Sequence, residues 1–142
     1  KNIDRVLIDT AGKDSVELRS AALVSDVLLA PTNADAADLD STAEFITRMD
    51  EARDSNEDLK ILVVISRAPT HAKSRFRDEA IAALCENTEE FALADTVVFN
   101  RRIYPDALKA GLSVLEAPSR TSQAREEIQN LAQEITAYQG NQ

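Results

Sequence analysis

The residues in this chain best placed for chemistry are a carboxylate and a glycine at the end of an apolar run. In "RVLIDTAGKDS" (residues 5–15) the run ends at Asp9, and Gly12 follows three residues later. A strand ending in aspartate fixes a carboxylate at a sheet edge, where it can hold a hard cation such as Mg²⁺ through water. Gly12 lets the backbone pass close to a phosphate and present its N–H with no side chain in the way. In the plainer alternative, Asp9 ends an ordinary buried strand, or Asp9 or Asp14 caps the next helix.

Other chemistries find little support. His71 and Cys85 are each the only residue of their type, so neither a metal-ligand set nor a Ser-His-acid arrangement can be built around them. His71 is expected to be an exposed loop residue and Cys85 a packing residue. Aromatic content of 4% offers no platforms for a sugar cleft. The acidic stretch 49–60 is expected to be a solvated helix end and loop. A net charge of −9 argues against the chain as a whole binding polyanions, although Arg101, Arg102, Lys109, Arg120 and Arg125 could gather on one side. Glu116, Glu126 and Glu127 are interspersed among them and work against such a patch. One cysteine cannot form an internal disulfide, which suits a reducing cytoplasm. No apolar stretch approaches the roughly 18 residues that span a membrane.

These candidates need a scaffold, and the sequence alternates strand and helix patterns. "RVLID" (5–9), "DVLLAP" (26–31), "KILVVIS" (60–66) and "DTVVFN" (95–100) are expected as strands. Helices are expected over 14–24, 35–54, 71–86, about 104–110 ending at Gly111, and about 120–138. Leu39, Ala43, Ile46 and Met49 form one helical stripe at i, i+4, i+7 and i+10. "KILVVIS" is apolar without alternation, as a strand covered on both faces should be. The order predicts an α/β fold, a parallel doubly wound sheet with helices on both faces, in a single domain spanning 1–142. Ligands of such sheets bind outside the carboxyl ends of the strands. That singles out residues 9–13, 31–38, 66–70 and 100–104.

"DTAG" also matches the switch segment of small GTP-binding proteins, but "VVISRAPTH" has neither the Lys nor the Asp that would read guanine. Taken in order, "VLIDTAGKDSVELRSAALVSDVLLAPTNADAADL", "ILVVISR" and "FNRRIYPDALKAGLSVLE" resemble the ParA-type partition ATPases of the ParA/MinD group. The resemblance covers nearly the whole chain and implies a P-loop NTPase-like sheet. It gives Asp9 the Walker-B role, holding Mg²⁺ through water, and puts Gly12 near the γ-phosphate. Ser66 and Arg67 would lie beside the adenine. Asn100, Arg101 and Arg102 would form the other wall of the nucleoside pocket or the dimer face, and Asp38 would face the partner subunit. Family members often carry proline where Ala11 or Gly12 stands.

The departure from the family is the phosphate loop: nothing here matches G-x-x-x-x-G-K-[ST], and the three glycines are scattered. The expectation is therefore the C-terminal part of an ATPase, inactive by itself and binding no nucleotide tightly, with an exposed strand edge that pairing with another copy or local rearrangement should cover. The parent would bind Mg-ATP, form a homodimer, bind DNA without sequence preference and hydrolyse ATP when stimulated by a centromere-binding partner protein. It would work in the cytoplasm, on the nucleoid. The competing expectation is a non-catalytic α/β interaction module.

Overall fold

The computed structural model describes residues 4–11, 15–70, 76–85, 91–118 and 122–140. Gly12, Asp14, His71 and Arg120 lie outside the described residues, as does the side chain of Cys85. The elements in order are α1 (Val16–Ala22), β1 (Val27–Thr32), α2 (Ala36–Arg48), α3 (Asp50–Ser55), β2 (Lys60–Ile65), α4 (Phe76–Cys85), β3 (Ala92–Leu93), α5 (Ile103–Lys109) and α6 (Ser122–Gly140). The sheet is parallel with order β1-β2-β3; Leu29 pairs with Leu62, and Val63 with Leu93. The chain is thus a mixed α/β protein built on a small three-stranded parallel sheet.

Burial explains why the central strand forms where it does. Ile61 to Ile65 are all buried, so both faces of β2 are covered. Ile61, Val63 and Ile65 meet the α2 stripe of Leu39, Ala43 and Ile46, together with Ala80 and Leu84 of α4. Leu62 and Val64 point the other way and pack against Leu131, Ile135 and Tyr138 of α6. The helices therefore cover both faces, with α2 and α4 on one and α6 on the other.

Capping residues set the helix boundaries. Ser15, not Asp14, is the N-cap of α1: its Oγ accepts from the Leu18 N–H at 3.3 Å. Asp35 does the same for α2, accepting from the Asp38 N–H at 3.1 Å. The single helix expected over 35–54 divides at Met49, whose N–H turns back to the Ile46 carbonyl at 2.9 Å. This tight turn lets Met49 and Ala52 both reach the core, while Asp50, Glu51 and Asp54 of the acidic stretch stay in solvent. Helix α5 stops at a left-handed Gly111 (φ 69°), with the Leu112 N–H closing onto the Ala107 carbonyl at 3.0 Å.

Two expected strands are corrected. Residues 5–9 form no strand: they have no ladder partner among the described residues, and Val6, Leu7 and Ile8 are 75%, 95% and 47% exposed. A strand needs a paired neighbour, and this segment is instead tied to the α6 face, where the Arg5 guanidinium donates to Thr136 Oγ1 at 2.6 Å. The strand expected at 95–100 begins earlier, at Ala92, and its ladder breaks after Ala94. The Ala94 N–H bonds the Val63 carbonyl, but the next such bond runs from Val98 to Ile65. The intervening N–H groups of Asp95 and Thr96 go to the Glu134 carboxylate on α6, at 2.5 and 3.0 Å. A helix carboxylate has taken the place of the neighbouring strand.

Candidate functional site

At the carboxyl edge of the sheet the end of β2 meets the segment after β3. In a regular parallel ladder one residue bonds partners two apart; here Val98 donates to the Ile65 carbonyl (2.9 Å) and accepts from the Ala68 N–H (3.2 Å). One extra residue is accommodated between them, a bulge, and Arg67 there adopts a left-handed φ of 54°. Pairing then resumes with the Ala68–Phe99 bridge and a bond from the Asn100 N–H to the Ala68 carbonyl at 2.8 Å. A non-glycine residue at positive φ is strained unless its surroundings enforce it, and such positions gather at ligand sites. Arg67 is exposed at this bulge between Ser66 and Ala68, and Asn100, also exposed, is the residue bonded to Ala68.

The end of β1 joins the same edge. The Ser66 N–H donates to the Thr32 carbonyl at 2.7 Å. Thr32 is buried, and its hydroxyl meets Thr42 Oγ1 at 2.9 Å. Asn33 donates to the Asp38 carboxylate at the first turn of α2. Thus Ser66, Arg67 and Asn100 are brought together through the backbone, and Asp38 is placed on the neighbouring turn.

Arg101 and Arg102 are set differently. The Arg101 guanidinium donates through Nε and a terminal nitrogen to Glu127 Oε1, at 2.8 and 2.6 Å, and to Gln123 at 2.9 Å. The other Glu127 oxygen accepts from the Phe99 N–H (3.3 Å) and the Tyr104 hydroxyl (3.2 Å). Hydrogen bonding to Glu127 raises the Arg101 pKa further, so this group stays charged. Tyr104 is pushed up to about 12, first by burial and then by the adjacent Glu127 charge. This cluster fastens the segment after β3 to α6; the sequence pattern weighed Glu127 only as a charge opposing a basic patch and did not single out Glu134. Their only sequence signal is an i, i+7 spacing on the helix that covers Leu62 and Val64. Arg102 is exposed and pairs with Asp106 at 3.4 Å. Arg125 donates to the Ala117 carbonyl at 2.5 Å. Among the described residues, Arg101, Arg102 and Arg125 are therefore each engaged by a separate acceptor.

Asp9 is exposed, in the segment outside the ladder. Among the described residues no three His, Cys, Asp or Glu side chains are placed to share a metal ion. A lone carboxylate fits Mg²⁺ held chiefly through water and phosphate oxygens; it does not fit an all-protein metal cage. The described cleft, about 730 Å³, lies at the amino ends of the strands between Asp26, Arg53, Phe91 and Tyr138. Its Lys60 Nζ is engaged by the Tyr138 carbonyl at 3.2 Å and the Tyr138 ring at 5.8 Å. The topology of parallel sheets attaches the ligand expectation to the opposite edge. No described helix is long and apolar enough to cross a membrane.

No protein-family model matches the chain, and neither does any curated protein sequence.

Proposed function

We propose that this chain is the C-terminal segment of a ParA-like ATPase, with a P-loop NTPase-like sheet whose carboxyl edge takes an adenine nucleotide. The observation that carries this reading is the bulge at Arg67, which sets Ser66 and Arg67 against Asn100 at the edge where parallel sheets bind ligands. The ordered resemblance of "VLIDTAG", "SDVLLAP", "ILVVISR" and "FNRRIYP" supports it independently.

In this reading Ser66, Arg67 and Asn100 line the adenine, while Arg101 stiffens that wall through Glu127. Asp9 would hold Mg²⁺ through water, and Gly12 would approach the γ-phosphate. The phosphate cradle and a catalytic lysine would be contributed from outside this sequence. The chemistry supplied by bound Mg-ATP is attack of water on the γ-phosphate. The full-length protein would dimerise with Asp38 facing its partner, contact DNA through phosphates alone, answer to a centromere-binding protein and reside on the cytoplasmic nucleoid. A non-catalytic α/β interaction module is the alternative.

The test is photolabelling of the full-length protein with a photoreactive adenine nucleotide in Mg²⁺. The reading expects label in peptides covering 66–70 and 98–102, displaced by ATP and not by GTP. Labelling elsewhere, or equal displacement by GTP, overturns it.

A further inference from the structure

Among the described residues Glu127 is the one charged side chain that is buried, and it sits where α6 meets the carboxyl edge of the sheet. Both of its oxygens are fully used. Oε1 accepts from Arg101 Nε and a terminal nitrogen at 2.8 and 2.6 Å, and Oε2 accepts from the Phe99 N–H at 3.3 Å and the Tyr104 hydroxyl at 3.2 Å. The Arg101 guanidinium also lies over the Phe99 ring, 5.4 Å from its centroid. Stability alone does not call for this arrangement. Well-packed apolar residues hold two elements together as well as a buried ion pair, which must first offset its own desolvation. What the charged cluster adds is direction, because each bond fixes an angle as well as a contact.

Direction matters at this point of the chain. Phe99 and Arg101 are the two neighbours of Asn100, and one carboxylate holds both. Asn100 donates its N–H to the Ala68 carbonyl at 2.8 Å, and Ala68 donates to the Val98 carbonyl at 3.2 Å. These two bonds pin the residue that follows Arg67, whose φ is 54°. A non-glycine residue stays in the left-handed region only where its surroundings over-determine it. Support therefore runs from Glu127 to Phe99 and Arg101, from them to Asn100, and through Ala68 to Arg67. Glu134, further along α6, holds the Asp95 and Thr96 amides and stands outside this chain of contacts.

We infer that Glu127 is the positioning residue of the edge site: from α6 it fixes Asn100 and Arg101 beside the strained Arg67 and so presets the wall that the nucleobase meets. This deepens the nucleotide reading proposed above and rests on it. A preset wall spares the ligand the entropy of ordering it. Loss of Glu127 therefore weakens binding without removing any group that touches the ligand.

The test compares the full-length protein with its Glu127→Gln and Glu134→Gln variants, both near-isosteric changes on the same helix. Amide exchange is followed without ligand, and affinity by titration with a non-hydrolysable ATP analogue in Mg²⁺. Glu127→Gln should speed exchange at Ala68 and Asn100 about tenfold and weaken the analogue about tenfold. Glu134→Gln should leave both within about twofold of the native protein. Equal effects of the two substitutions would reduce Glu127 to a fastener of α6 and overturn the inference. Unchanged exchange or unchanged affinity in Glu127→Gln overturns it as well. A native protein that does not bind the analogue overturns the nucleotide reading instead; the exchange comparison needs no ligand and still decides whether Glu127 positions the edge.

Discussion

At Glu127 one carboxylate accepts from Arg101, Tyr104 and the Phe99 backbone, and the ion pair is largely shielded, with 20% and 11% of the two side chains exposed. Removing one member of such a pair leaves a poorly solvated charge and loosens the segment after β3. Glu127→Ala should therefore destabilise the fold by about 3 kcal/mol, seen in urea unfolding as a lower midpoint at unchanged slope. Glu127→Gln, which retains an acceptor, should cost less. A substitution effect below about 0.5 kcal/mol, the range of ordinary surface changes, would show that the cluster is incidental. Arg101 was assigned by the family resemblance to the wall of a nucleoside pocket or to a dimer face. Its actual partner lies 26 residues later on another helix, where no local pattern reveals it. Ser66, Arg67 and Asn100 were singled out at this scale because parallel topology names the strand ends as the place to look.

The element scale shows where patterns suffice. Strand β2 and the α2 stripe were readable because burial leaves a direct mark: an unbroken apolar run in one, a 3.6-residue period in the other. The run at 5–9 carries a similar mark and yet forms no strand, since composition records a preference for pairing and cannot supply the neighbour. At 95–100 the competition is explicit, with Glu134 taking the Thr96 amide that a regular ladder would have carried to Ile65. These placements predict opposite mutational effects for similar residues. Leu7→Ser should change stability by less than about 0.5 kcal/mol, whereas Ile46→Ala, at a fully buried position, should cost about 3 kcal/mol. Thermal or urea unfolding of the two variants side by side decides this; a large loss from Leu7→Ser would mean that the segment is integral to the fold.

For the molecule as a whole, the layers are those of an α/β protein, with helices on both faces of a parallel sheet. The alternating pattern made that class legible. It could not show that the sheet has three strands, because strand count depends on which apolar runs find partners. The functional reading joins this scaffold to a family resemblance, and its most exposed commitment is Asp9. The decisive measurement is Mg²⁺-dependent ATP turnover by the full-length protein with and without Asp9→Ala, accompanied by unfolding curves for both. The account predicts turnover in the native protein, its loss to background in the variant, and superimposable unfolding. Undiminished turnover in Asp9→Ala, or none in the native protein, would contradict it.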